Sequence, residues 1–269
     1  MTDGSNITST ITGAGNLTLD GSSTVTGTVG NTTTSLGNIN ANGIAGKTVT
    51  FANDVYATNI ENTGTGATTF QANVVATNVN VNAGTSTFQD NLTAATTTIS
   101  TGTGNFNTVS GATTSDLRFT DNGTANLNNG LTGNVTTTAD NKGTLNLVGS
   151  SNQTVTGPVG ASGASLAEVN AGANGSTSTF ANDVYATNTN IGSGRVDFNT
   201  VSGITNTNII FTDNGTANLL NGLTGNIDFA GKDATVNVSD GKGILGSVQT
   251  LASNNTGILN YKGDGFLDG

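Results

Sequence analysis

The sequence predicts an all-β chain wound as a parallel β-helix (β-solenoid) with coils of about 18 residues, and three observations carry that expectation. The first is composition. Of 269 residues, 33% are hydrophobic, 5% aromatic and 9% charged, while glycine supplies 39 and threonine with asparagine about 90. So many uncharged polar and β-branched residues suit turns and pleated ladders better than a compact globular core. The second is local pattern. There is one proline, Pro158, and no helix-period run; short alternating stretches such as NLTLDG, TVTGTV, NVNV and TVNV each close on Gly or a polar turn residue. The third is repetition: TFANDVYATN at residues 50–59 returns at residues 179–188.

The phenylalanines set the period. Phe51, Phe70, Phe88, Phe106 and Phe119 stand 19, 18, 18 and 13 residues apart, and Phe180, Phe198, Phe211 and Phe229 stand 18, 13 and 18 apart. A spacing near 18 is too short for a domain and right for one turn of a solenoid. FNTVSG at residues 106–111 recurs at 198–203, and FTDNGTANLNNGLTGN at 119–134 recurs at 211–226 with one change, both shifted by 92. The decapeptide is shifted by 129. The difference, 37, is the length of two coils, so the second copy lacks two whole coils. Such a loss leaves every flanking coil able to stack on a new neighbour.

Alignment on Phe assigns the positions within a coil. Four residues on stand Val55, Val74, Leu92 and Val184, and six on stand Ala57, Ala76, Ala94 and Ala186. With period-two alternation these join the Phe series as inward ladders. Between them Tyr56, Val75, Thr93 and Tyr185 face out, and seven on come Thr58, Thr77, Ala95 and Thr187. Asp54, Asn73, Asn91 and Asp183, three on, are expected to cap turns. GNLTLDGSSTVTGTVG from residue 15 is echoed from residue 143, and ATVNVSDGKG opens a third time at 234. The chain therefore reads as a single β-solenoid over 1–269, with internal units at about 15–142, 143–233 and a partial 234–269.

The residues present bound the chemistry. Without Cys or His, zinc–thiolate sites, thiol nucleophiles and Ser-His-Asp catalysis have no material. A net charge of −10 with two arginines, Arg118 and Arg195, disfavours nucleic acid and anionic membranes. Asp54 and Asp183, and Asp121 and Asp213 in DNG turns, recur in step; acid–base or calcium chemistry is weighed against their role as turn formers, which the DNG pattern favours. No catalytic residue, cofactor or metal site is expected, and the residues of any binding site are not defined by the sequence. Carbohydrate-active β-helices group acids with a basic residue in a groove, and ice-binding solenoids array Thr-x-Thr; here Arg118 aligns with Ile210, Arg195 aligns with Thr103, and the Thr series is broken.

The Phe-led coils, the ATNVNV and FTDNGTANLNNGLTGN phrases and the Gly, Thr and Asn bias resemble the passenger region of the rickettsial surface cell antigens, autotransporters of the outer membrane protein A and B type. The resemblance covers most of the chain. It implies a non-enzymatic, surface-exposed β-helix on the extracellular side of a bacterial outer membrane, contributing to attachment to and entry into host cells through a host-cell surface protein. Such a passenger also has neighbouring segments and a C-terminal membrane barrel, neither of which is expected in this text, nor is an export signal. A passive stalk that binds nothing is the alternative. The Phe-free stretch 134–178, with Pro158 and Glu168, is expected to hold either an irregular partner-contacting loop or a looser set of coils.

Overall fold

The computed structural model describes residues 3–199, 201–250 and 256–269. The chain divides into two compact units, Met1–Asn129 and Gly130–Gly269, and each is a β-solenoid of short parallel strands stacked coil on coil. Helix among the described residues is confined to a three-residue 3-10 turn, Ala173–Gly175.

In the first unit one face is built from strands of three or four residues: Ser5–Ile7, Ser23–Val25, Thr48–Phe51, Ala67–Phe70, Thr85–Phe88, Thr103–Phe106 and Thr124–Leu127. All pair in parallel, and Val25, Phe51, Phe70, Phe88, Phe106 and Leu127 fall in one column. The intervals along it are 26, 19, 18, 18 and 21 residues. The period of about 18 therefore holds where Phe sits on Phe, and coils lengthen at either side. A second face carries longer strands, including Leu36–Ala41, Val55–Asn62, Val74–Val81, Leu92–Ile99 and Thr113–Phe119.

The eight-residue strands bend. In Val55–Asn62 alternation places Val55 and Ala57 inside, slips at the outward pair Thr58 and Asn59, then resumes with Ile60 and Asn62 inside. Where Leu92–Ile99 meets the seven-residue Thr113–Phe119, the register shifts between Thr93 and Thr96. The extra residue is taken up as a bulge.

The second unit repeats the plan. Gln153–Val155, Thr177–Phe180, Arg195–Phe198, Thr216–Leu219, Thr235–Val238 and Ile258–Tyr261 make the short-strand face, with intervals of 25, 18, 21, 19 and 23 along the column from Val155 to Tyr261. Lys142–Leu147, Leu166–Ala171, Val184–Ile191 and Thr205–Phe211 make the other. The register again shifts, between Tyr185 and Asn188, 92 residues after the same shift in the first unit. No Phe or Leu dictates this bulge; the one-residue difference in strand length does.

All nine phenylalanines of the series are buried, but they occupy two columns. Rings of Phe51, Phe70, Phe88 and Phe106 stack at 5.0, 5.0 and 5.4 Å with interplanar angles of 4–6°. Phe180 and Phe198 stack at 5.6 Å. Phe119 and Phe211 instead sit on the long-strand face, in register with Ile99 and Ile191, and Phe211 stacks on Phe229 at 5.4 Å. The intervals of 13 are steps between faces within a coil, not short coils. Val55, Val74, Leu92 and Val184 are buried, as are Ala57, Ala94 and Ala186. Ala76 is only half-buried, at the strand bend.

Burying a Phe ring contributes about 1.5–3 kcal/mol, and offset stacking adds to it. The outside of the stack is held differently, by asparagine. Asn38 donates to Asn16 at 3.1 Å, Asn59 to Asn38 at 2.8 Å and Asn78 to Asn59 at 2.9 Å. In the second unit Asn170 donates to Asn146, and Asn190 to both Asn170 and Glu168. Inside, Thr97 bonds Ser115 at 2.9 Å and Thr189 bonds Thr207 at 3.0 Å, all fully or nearly buried. Each hydroxyl satisfies its partner where an unpaired one would be costly.

Candidate functional site

The repeated carboxylates serve the backbone. Asp54 Oδ1 accepts from the main-chain N–H of Asn73 at 3.1 Å and from its Nδ2 at 3.0 Å. Asn91 then donates to Asn73, and Asn91 accepts from the N–H of Ala112. Asp183 accepts from the N–H of Ile204 at 2.7 Å, and Asp213 from that of Asn214 at 2.8 Å. The series expected to cap turns, Asp54, Asn91 and Asp183 among it, does so on the following coil, whereas Asp213 caps its own turn. Asp121 lies in the corresponding turn of the first unit. Among the described residues no group of three or more His, Cys, Asp or Glu is placed to hold a metal ion, and no helix is long and apolar enough to cross a membrane.

The corner after Phe106 in the first copy and Phe198 in the second is equally structural. Asn107 and Asn199 are buried, in left-handed conformation at φ 55° and 57°, which Asn tolerates better than most residues. Asn107 donates to the carbonyl of Asp90 and Asn199 to that of Asn182, while Thr113 and Thr205 donate back to them.

The stretch 134–178 carries coils rather than an irregular loop. It contributes Val135–Thr137, Lys142–Leu147, Gln153–Val155 and Leu166–Ala171 to the second unit, and Glu168 accepts from Asn190 on the next coil at 2.5 Å. Strands of three residues and coils of up to 25 need no Phe, because Val155 and Val159 fill the inward positions.

Comparing the two copies residue by residue separates core from surface. Inward, Leu92, Ala94, Thr97, Ile99 and Phe106 correspond to Val184, Ala186, Thr189, Ile191 and Phe198. Outward, Thr98 becomes Asn190, Thr103 becomes Arg195, Asn105 becomes Asp197, Asp116 becomes Asn208, Arg118 becomes Ile210 and Asn128 becomes Leu220, whereas Tyr56 and Thr58 return unchanged as Tyr185 and Thr187. Most inward positions keep their chemistry, Gly104 against Val196 being an exception, while several outward positions change and others, such as Thr120, Asp121 and Asn122 against Thr212, Asp213 and Asn214, are kept. Val109 and Val201, 75% and 77% exposed, are kept without a packing reason.

Three of the changed positions lie together. Arg195, Asp197 and Leu220 line a depression of about 470 Å³ on the short-strand face of the second unit, with Asn218, Asn237, Val238, Ser239 and Lys262. Arg195 Nε donates to Asp197 Oδ1 at 2.7 Å, which raises the guanidinium pKa above its ordinary value. Asn218 donates to the same oxygen at 2.5 Å, Asn237 to Asn218 at 2.8 Å and Asn260 to Asn237 at 2.9 Å. Sequence reasoning set Arg195 aside as outside the repeated design; the signal it lacked was that Arg195, Leu220 and Lys262, far apart in the chain, share one face.

Fold and surface together define a parallel β-solenoid with a repeated core and a varied exterior. Comparison with protein-family models, with characterised proteins and with solved structures returned no match.

Proposed function

We propose that the chain is a surface-exposed β-helical passenger segment of a bacterial autotransporter adhesin, contributing to host-cell attachment and invasion from the extracellular side of the outer membrane. The observation that carries this reading is the contrast between copies: most inward residues are retained while several outward residues on the same coils change, the behaviour of a scaffold that displays its surface. The resemblance of the repeated phrases to rickettsial passenger text supplies the setting, and a host-cell surface protein is the partner proposed. No enzymatic step is proposed. Affinity in such a scaffold accumulates over successive coils.

A passive spacer is the second reading, favoured by the whole-coil difference between copies. Phe70 and Phe88 intervene between Phe51 and Phe106, whereas Phe180 stacks directly on Phe198. A stalk can change length in this way without changing its fold.

The deciding experiment is binding of labelled, purified chain to cultured endothelial cells, with unlabelled chain as competitor and an unrelated β-helix as control. Saturable, competed binding supports the adhesin; binding no greater than the control leaves the spacer.

A further inference from the structure

We propose that the depression between Arg195 and Lys262 is a binding site for an acidic saccharide. The inference rests on the attachment reading and deepens it, naming the chemistry by which a glycan on a host-cell surface partner would be held.

Two of the chain's seven cationic residues line this one depression, against the single carboxylate of Asp197. Arg195 commits only Nε to a protein acceptor among the described residues, so its terminal nitrogens remain for a ligand. The Lys262 ammonium and the Ser239 hydroxyl have no partner among the described residues either.

The geometry favours an elongated ligand over a single small anion. Arg195 is in register with Thr216, Thr235 and Ile258, and Lys262 follows the strand Ile258–Tyr261. The two cationic residues are thus three rungs apart along the stack, about 14 Å at the usual strand spacing, with Lys262 offset a further four residues along the chain from the register of Arg195. Between them lie Leu220, 38% exposed, and the Asn237 amide. An apolar surface beside amides and a hydroxyl matches a sugar, which offers a C–H face and a rim of hydroxyls, and carboxylate or sulfate groups on rings several units apart match the cations at each end. The first copy holds Thr103, Asn105 and Asn128 where the second has Arg195, Asp197 and Leu220, so the charged and apolar features occur together in the second copy and are all missing from the first.

The full chain would be titrated with a fluorescent sulfated hexasaccharide of alternating uronate and hexosamine, a neutral glucose hexasaccharide and a hexaglutamate peptide. The acidic saccharide binds, and its affinity falls as salt rises. R195T and K262A each weaken it roughly tenfold, the loss of one charge-assisted contact, while T103A leaves it unchanged. R195T installs the residue that occupies the equivalent place in the first copy, and an unaltered far-ultraviolet spectrum checks its fold. Equal binding of the neutral saccharide or the peptide, absence of saccharide binding, or indifference to both substitutions overturns the proposal. Absent saccharide binding overturns this inference alone; saccharide binding without attachment to cells overturns the attachment reading and leaves the site.

Discussion

Phe88 lies between two rings, with centroids 5.0 Å from Phe70 and 5.4 Å from Phe106. Phe88→Ala removes a buried ring and two stacking partners, and a loss of about 3–5 kcal/mol is expected, read from the urea midpoint. A cost under about 1 kcal/mol would mean the column does not hold the coils together. Gly104 and Val196 occupy equivalent places beside Phe106 and Phe198. A Cβ on Gly104 would meet the Phe106 ring at 2.7 Å, and where Val is present the ring pair opens to 5.6 Å and an 18° angle. The flanking residues are the same, Ser86 and Ala125 against Ser178 and Ala217. Gly104→Val therefore tilts the Phe106 ring rather than unfolding the coil, costing about 1–3 kcal/mol as overpacking, and a crystal structure of the variant would show the tilt. Asp140 accepts from the N–H and hydroxyl of Ser165 at 2.8 and 2.9 Å, which lowers its pKa from 3.8. A depressed carboxyl contributes stability above its unfolded value and loses it as pH falls through the folded one. Carboxyl-carbon NMR should place the Asp140 midpoint below 3.8, with S165A raising it; an ordinary midpoint unaffected by S165A would exclude the contact.

At the scale of the element, the coil is the unit that can be removed. Phe51, Phe70 and Phe88 are successive rungs, so deletion of residues 52–88 excises two coils and brings Phe51 beneath Phe106, as Phe180 lies beneath Phe198. This variant is expected to keep its β spectrum and a cooperative unfolding transition, whereas a deletion ten residues shorter should lose both, since it turns the inward columns out of line. Failure of both deletions alike would deny coil modularity. The strands themselves were legible, because Phe, Val and Ala at positions zero, four and six impose alternation on the text. The second Phe column was not. Phe119 and Phe106 are the same residue type, and nothing in a 13-residue interval says that one belongs to the long-strand face. The bulges at Thr93–Thr96 and Tyr185–Asn188 were equally hidden, because a bulge depends on the length of the neighbouring strand, which only pairing reveals.

For the whole molecule, composition foretold the result more directly than any motif: a chain poor in apolar residues folds by dividing its core among many thin layers, each burying one ring or a few aliphatic groups. The candidate site was less legible, because a binding face on a solenoid draws single residues from several coils and no local pattern joins them. With a pI near 4.1, solubility should be least near that pH and recover above it, as turbidity across a pH series would show. The asparagine rows have a further consequence. In every Asn–Asn and Asn–Asp side-chain pair described above between stacked coils, the later coil donates and the earlier coil accepts. Asp54 and Asp197 fix that sense, since a carboxylate can only accept; Asn73 and Asn218 must turn their NH₂ groups toward them and leave their oxygens for the coil that follows. A coil thus presents acceptors to the one that follows it and donors to the one before. Like the face of a crystal, each end selects an added coil by polarity as well as shape, so a coil stacked in the reverse sense would set acceptor against acceptor.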